Sequence, residues 1–336
     1  MKAVVAGPIT VLLLLRSYRR QSLTIPGIIV AGITATVHAL PESPLPFTLL
    51  GTFFILGTSA TKVKHEQKAR LTLSSSGASG GEGPRTHIQV LANSLCASIL
   101  CLLEYLYRPN SGGQCFPLHA QPSANYLSWC LLGATANYAA TAADTLSSEL
   151  GILSSSTPFL ITAPWRSVPR GTNGGVTVAG VLYGSLGAAV IGVTSLMLLP
   201  FCEGEWTVQQ KIALAVGVSV WGTLGSLLDS LLGAVLQASV VDRRTGKVVE
   251  GAGGVKVLTH RRASSASGSG TDARPAAATK QRKGASQSAA DSATSHESRF
   301  IGSGSDILDN NGINLLMATI MTVGGIVVGE QLRKFT

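Results

Sequence analysis

Charged residues are scarce. Asp, Glu, Lys and Arg make up 13% of the 336 residues, about half the quarter usual in soluble domains, and this excludes a soluble enzyme with an ordinary hydrated surface. Five cysteines are too few for a disulfide-built scaffold, and the glycines follow no three-residue period, so a collagen-like chain is excluded. Motifs of familiar soluble chemistry are missing: there is no G-x-x-x-x-G-K-[ST] loop, no H-R-D or D-F-G set, no H-E-x-x-H and no C-x-x-C pair, which disfavours soluble ATPase, kinase and zinc chemistry. What is present is apolar. Hydrophobic residues reach 45% and mean hydropathy is +0.33, and the apolar residues recur in long runs that a disordered chain would not carry.

Eight such runs approach the roughly 20 residues needed to cross a bilayer: Ala3 to Leu15, Leu23 to Leu40, Pro46 to Ala60, Ile88 to Tyr107, Tyr126 to Ala143, Val176 to Leu199, Ile212 to Val235 and Gly312 to Gly329. The first and third are short, and Thr157 to Pro164, broken by two prolines, reads as a re-entrant or interfacial segment. The expected fold is therefore all-α, a polytopic membrane bundle of about eight (seven to nine) transmembrane helices. Residues 1–250 hold the first seven spans with loops 61–87 and 144–175, residues 251–305 form a low-complexity insert expected to be disordered, and residues 306–336 return as the last span of the same bundle.

Placing the Arg16 to Ser22 loop in the cytosol puts 21 of the 26 Lys and Arg on that side, the asymmetry that orients inserted helices. Both termini are then non-cytosolic, with the endoplasmic reticulum as the expected membrane. The first run ends in Arg16, Arg19 and Arg20 without an A-x-A-like site, so a retained span is expected rather than a cleaved signal. The net charge of +9 follows from this topology and calls for no nucleic-acid partner. In the insert, Arg261-Arg262 and Lys280 to Lys283 read first as solvated charge and second as a contact for anionic lipid. Gly180 and Gly184, with Gly187 following, signal close helix packing.

Polar residues in the spans gather at one level. The fifth span carries Asn137, Thr141, Asp144 and Ser148 at helical spacing, and Glu149 lies about 140° around from Asp144 on an ideal helix, so the two acids share a ligand only if the helix ends between them. In the seventh span Gly222, Gly225, Asp229, Gly233 and Gln237 share a face. Asn93 and Asn314 open the fourth and eighth spans, and the third ends in Thr61, Lys62, Lys64, His65 and Lys68. Singly, lysines after a span are topogenic charge, a carboxylate at a span end caps or pairs, and amides are interhelical glue. Together, acids and bases on one face suit a Mg²⁺-bound polyphosphate, with oxygen ligands for the cation and Lys or Arg for the phosphates. Arg166 and Arg170 precede Gly171-Thr172-Asn173-Gly174-Gly175 directly before the sixth span, a glycine loop able to approach an anion. His38 reads as a hydrogen-bonded core residue, and Cys96, Cys101 and Cys130 as small hydrophobes. Cys115 and Cys202 are the two cysteines outside the spans, both on the non-cytosolic side, and form a candidate disulfide.

The strings GTSATKVKHEQKAR (57–70), RTHIQVLAN (85–93), ANYAATAADTLSSELG (136–151), PFLITAPWRSVPRGTNGGVTVAG (158–180) and DSLLGAVLQ (229–237), with Asn314 opening the last span, resemble the transmembrane protein 19 family of integral membrane proteins. Leu146, Ser147 and Ser148 stand where relatives tend to show Trp and Ala, and a Gly/Ser-rich insertion precedes Arg85. That family includes the plant phytyl-phosphate kinase of tocopherol synthesis, and the resemblance implies extension of an isoprenoid (phytyl or polyprenyl-type) monophosphate to the diphosphate with a nucleoside triphosphate, CTP or ATP, and Mg²⁺. No plastid transit peptide is read at the amino terminus, so plastid phytol salvage is not implied. On the combined reading Asp144, Glu149 and Asp229 are the catalytic metal ligands. Lys62, Lys64, Lys68, Arg85, Arg166 and Arg170 contact phosphate, Thr172, Asn173, Gly174 and Gly175 support it, and Asn93, Asn137, Gln237 and Asn314 line the site. The alternatives are a non-enzymatic anion transporter or lipid-handling scaffold, and a cytidylyl transferase on lipid precursors.

Overall fold

A computed structural model describes residues 3–76, 78–81, 83–108, 115–119, 126–257 and 298–335. Among them are eight helices of 14 residues or more: α1 (Ala3–Arg20), α2 (Ile25–His38), α3 (Leu45–Lys62), α5 (His87–Tyr107), α6 (Tyr126–Gly151), α7 (Val178–Leu198), α8 (Val208–Leu236) and α9 (Asn310–Phe335), with the short α4 (His65–Ala69) after α3. They coincide with the eight apolar runs. Four of them, α5, α7, α8 and α9, are by length and composition alone able to cross a membrane. Their starts follow from local chemistry: Thr24, Thr86, Thr177 and Thr207 cap α2, α5, α7 and α8, and Gln89 and Gln210 complete capping boxes, satisfying amides that a helix start leaves unpaired.

Helix α6 is the axis, packing against α3, α5, α7, α8 and α9. Its middle, Gly133 to Ala143, is buried throughout and, apart from Asn137 and Tyr138, built from small residues, so neighbours approach its backbone directly. A Cβ on Gly187 would meet the Ala142 carbonyl at 2.7 Å and one on Gly222 the Ala139 carbonyl at 2.6 Å. The glycine series of α7 thus serves the packing read from it. This burial explains why α6, screened from lipid by its neighbours, need not be uniformly apolar. The outer faces of α7 and α8 are the reverse: Val178, Leu182 and Leu186, and Val216, Val220 and Leu224, are exposed, a surface suited to hydrocarbon.

Consecutive long helices alternate in direction. The connections 63–86, 152–177 and 237–309 meet at one end, here the site end, where Leu23 bridges Arg85 and Asn173 bonds to Ser239. At the far end the candidate pair Cys115 and Cys202 forms a disulfide with Cα atoms 4.9 Å apart, and Arg333 donates to the Pro117 carbonyl at 3.1 Å. His38 is buried, its ring nitrogens contacting the Thr34 carbonyl and the Tyr138 hydroxyl, and Cys101 and Cys130 are buried thiols.

Two expectations are corrected. The chain is mostly helical but not all-α, because the site-end loops form seven short strands: β1 (Leu73–Ser74) pairs with β6 (Val249–Glu250), β2 (Phe159–Leu160) with β3 (Ala163–Ser167) and β4 (Gly175–Val176), and β5 (Ser239–Asp242) with β7 (Arg299–Ser303). Thr157 to Pro164, read as re-entrant or interfacial, contains β2 and leads into β3, so that its backbone groups are satisfied by β3 and β4. The two ends of the stretch expected to be disordered are also ordered. Residues 251–257 pack at the site, and Arg299–Ser303 is a strand, while 258–297, with Arg261, Arg262 and Lys280 to Lys283, lie outside the described residues.

Candidate functional site

At the site end a cavity of about 760 Å³ opens between α3, α5, α6, α7, α8 and α9 and the loops that join them. It has two poles of opposite charge. At the acidic pole the carboxyl groups of Asp144 on α6 and Asp229 on α8 stand close enough to interact. Asn314, in the first turns of α9, reaches Asp229 Oδ1 at 3.2 Å with its amide nitrogen turned to it. Two carboxylates and an amide from three helices therefore converge. The glycines of α8 permit this: a Cβ on Gly225 would come within 2.5 Å of Ala140 Cβ, so the helix lies close enough to α6 for the aspartates to meet.

At the basic pole Glu149 is surrounded by donors. Lys68 Nζ pairs with Glu149 Oε2 and also reaches the Ala60 carbonyl at 3.1 Å. Thr61 Oγ1 donates to Glu149 Oε1 at 2.7 Å, and Arg85 Nη2 stands 4.0 Å from the same oxygen. Arg85 lies against Gly57 of α3, where a Cβ would come within 2.9 Å of its guanidinium. Two cations thus face one carboxylate, leaving a surplus positive charge beside the cavity.

The structure brings together at this cavity Lys68, Arg85, Asn93, Asp144, Glu149, Arg170, Thr172, Asn173, Gly174, Gly175, Asp229, Gln237 and Asn314. It does not unite the three acids as one metal site. Helix α6 runs unbroken to Gly151, so Asp144 and Glu149 diverge, Glu149 is engaged by Lys68 and Thr61, and no group of three His, Cys, Asp or Glu able to hold a metal occurs among the described residues. Asp144 and Asp229 still suit Mg²⁺, because that ion takes one or two carboxylates and completes its shell with water and substrate phosphates.

Other assignments change as well. Lys62 and Lys64 are exposed outside the cavity lining, because the chain turns at Lys64 (φ 47°) into α4 and carries only Lys68 inward. Arg166 is exposed and donates to the Gly302 carbonyl. Arg170 reaches the rim but spends its guanidinium on the carbonyls of Ile152, Ser154 and Ser155. Asn137 is buried in the bundle, bonding the Asn93 carbonyl at 2.8 Å and Thr322 at 3.2 Å. The glycine loop is largely a packing device: Gly174 (φ 76°) lies where a Cβ would strike Ala234 and the Ser230 carbonyl, Asn173 bonds Ser239 Oγ and the Ala238 carbonyl, and the Thr172 hydroxyl bonds the Pro169 carbonyl.

Thr61, read from the sequence only as part of the polar end of the third span, completes the Glu149 cluster with its hydroxyl, and sequence reasoning missed the segment Gly251 to Lys256. That segment lines the cavity and is fixed by Lys256 Nζ to Asp306 Oδ1 at 3.0 Å and by Asn311 Nδ2 to the Gly253 carbonyl at 2.9 Å. Its signal was the run G-A-G-G-V-K directly after β6, with Gly253 and Gly254 at positive φ, set at the border of a Ser, Gly and Ala-rich stretch that concealed it.

Residues 8–322 match the family described as integral membrane protein DUF92. The chain is 33% identical over 251 residues to Protein PGR of Arabidopsis thaliana, covering 74% of this chain and 83% of that one. It is 32% identical over 189 residues to the uncharacterized membrane protein MJ0933 of Methanocaldococcus jannaschii (56% of this chain, 64% of that one), and 28% identical over 236 residues to Protein VTE6, chloroplastic, of Arabidopsis thaliana (70% and 63%). The chain thus spans less than two thirds of these last two relatives. No solved structure matches it. The match over nearly the whole length, together with the motif strings that converge at this cavity, makes the chain a member of the DUF92 family of integral membrane proteins, the transmembrane protein 19 type.

Proposed function

We propose that this protein is a membrane-embedded phosphotransferase that extends an isoprenoid monophosphate to the diphosphate with a nucleoside triphosphate and Mg²⁺. The observation that carries the reading is the pairing of an acidic pole, Asp144 and Asp229, with a surplus-positive pole, Lys68, Arg85 and Glu149, inside one cavity. A magnesium polyphosphate has the complementary charge pattern. The family resemblance supplies the reaction class and the lipid substrate.

In this reading all eight long helices span the bilayer, the site end faces the cytosol, and the membrane is that of the endoplasmic reticulum. An oxygen of the lipid monophosphate attacks the terminal phosphorus of the nucleotide. The new P–O bond forms as the bond to the bridging oxygen breaks, and the nucleoside diphosphate leaves. The attacking group is already an anion, so little general-base assistance is needed, and catalysis is mostly alignment and charge neutralisation. Asp144 and Asp229 hold the ion, which when bound neutralises phosphate oxygens. Asn314 orients Asp229. Lys68 and Arg85 hold phosphate oxygens, with Thr61 setting the Glu149 carboxylate that positions both.

The test is an assay of purified protein in detergent with radiolabelled ATP or CTP and a panel of isoprenoid monophosphates. A labelled lipid diphosphate supports the reading. Labelled nucleotidyl lipid would instead make the chain a cytidylyl or adenylyl transferase, and no product with any lipid alongside anion flux in vesicles would make it a transporter.

A further inference from the structure

Trp165, on β3, is 87% exposed in a chain with four tryptophans. Its place in the fold gives that exposure a meaning. β3 pairs with β2, β2 pairs with β4, and β4 is separated only by Thr177 from α7. The hairpin therefore hangs at the site end of a helix whose outer wall begins with the exposed Val178. Arg166, the neighbour of Trp165, donates to the Gly302 carbonyl of β7 at 3.3 Å, which fixes the hairpin against a strand carrying two more exposed apolar side chains, Phe300 and Ile301. The guanidinium of Arg243 lies 5.3 Å from the centre of the Phe300 ring.

Exposed apolar and aromatic side chains, Trp165, Phe300 and Ile301, thus stand on strands just beyond the site end of the lipid-facing wall of α7, beside two arginines. In water such exposure is costly. At a bilayer surface each part has a partner: an indole places its ring at the headgroup level with its N–H toward water, and guanidinium groups pair with lipid phosphates.

We propose that the β2–β3 hairpin and β7 form an interfacial anchor, in which Trp165 and Ile301 enter the headgroup boundary of the leaflet at the site end and Arg166 and Arg243 bind anionic lipid phosphates. The anchor stands independently of the phosphotransfer reading. It also sets the level of the site, since the loop from β3 to β4 lines the cavity and is held by the same three strands.

The test compares the full chain with Trp165→Phe in vesicles of phosphatidylcholine with phosphatidylserine, some carrying lipids brominated near the headgroup. The difference between the two proteins isolates the Trp165 fluorescence without disturbing the three other tryptophans. The expected component is quenched by the brominated lipid, is protected from aqueous acrylamide, and shifts toward the red when phosphatidylserine is omitted. Arg166→Gln with Arg243→Gln removes that dependence on phosphatidylserine while Trp165 stays quenched by bromine. A Trp165 component open to acrylamide and untouched by brominated lipid overturns the anchor, and one shielded from both overturns it in favour of a protein partner.

Discussion

Lys68 and Glu149 form a buried ion pair that ties the short helix α4 to the last turns of α6, with side chains 8% and 12% exposed. A buried charge that loses its partner keeps its desolvation cost, so removing Glu149 alone, which strands Lys68, should destabilise the protein by about 3–5 kcal/mol. Removing Lys68 alone should cost less, because Arg85 and Thr61 still face the carboxylate, and replacing both should cost less than the sum of the two. Thermal unfolding in detergent of Lys68→Met, Glu149→Gln and the double variant checks this. The double variant is expected to be more stable than the sum of the singles predicts. Singles that cost no more than an exposed pair, below about 1 kcal/mol, would show that the pair does not hold α4 in place.

The aspartate pair carries the next expectation. Asp144→Asn and Asp229→Asn should each abolish phosphotransfer while leaving folded, membrane-inserted protein, because each removes a negative ligand but keeps the shape of the group. Asn314→Ala, which leaves both carboxylates in place but frees Asp229 to turn, should lower apparent Mg²⁺ affinity by about 10–100-fold. Initial rates against Mg²⁺ concentration, with size-exclusion profiles as the control for folding, separate these effects. Near-normal rates in both aspartate variants would remove the metal site from the proposal.

The helices were legible because lipid leaves them no alternative: a chain lacking apolar runs cannot cross hydrocarbon, and each run became a helix at its expected place. The convergence of Asp144, Asp229 and Asn314 was legible too, since their levels follow from counting residues along the spans. The use of each basic residue was not. Lys62, Lys64 and Lys68 look alike in sequence, and only the left-handed turn at Lys64 decides that Lys68 alone points inward. Nor could the sequence reveal that Glu149 would find a partner 81 residues away. Two-residue strands such as Phe159–Leu160 have no periodicity to read, and the glycine loop before α7 announced a close approach without saying that the approaching surface was α8 rather than a ligand.

Acidification should loosen the junction of β5 and β7. Burial by itself would raise the Asp242 carboxyl, but the Ser298 hydroxyl, the amides of Arg244 and Thr245 and the nearby Arg244 guanidinium hold it below the ordinary carboxylate range. A depressed folded value means that the stabilisation is complete above the unfolded value, about 3.9, and is lost as pH falls through the lower folded value. Protection factors across Arg299–Ser303, that is amide exchange normalised to the intrinsic rate at each pH, should therefore fall at low pH, and Asp242→Asn should lower them already at neutral pH. Unchanged protection in that variant would mean that the strand pairing alone secures the junction.

The same junction predicts which part of the insert is dispensable. Its flanks are held by separate contacts, Lys256 to Asp306 before it and β5 to β7 after it. Replacing residues 264–297 by a short Gly/Ser linker should keep phosphotransfer within a few-fold of the intact chain, because these contacts remain. Extending the replacement through Ser303 removes β7 and should abolish activity. Complete loss with the shorter replacement, at normal membrane levels, would show that the insert itself contributes to the site.

The disulfide at the far end allows orientation and stability to be tested together. Cys115 and Cys202 are separated by 87 residues in sequence, and closing a loop of that length contributes roughly 4–5 kcal/mol in the chain-entropy model, so Cys115→Ser should lower the unfolding temperature of the detergent-solubilised protein and Cys202→Ser should lower it equally. A persistent disulfide requires an oxidising compartment, which places the far end in the lumen if the membrane is that of the endoplasmic reticulum. In sealed microsomes treated with a membrane-permeant reductant, an impermeant maleimide should then label neither cysteine until the vesicles are permeabilised. Labelling of Cys115 or Cys202 in sealed vesicles would invert the orientation. Asp144, Asp229, Lys68 and Arg85 would then face the lumen, away from cytosolic nucleotide, and the phosphotransfer reading would lose its donor.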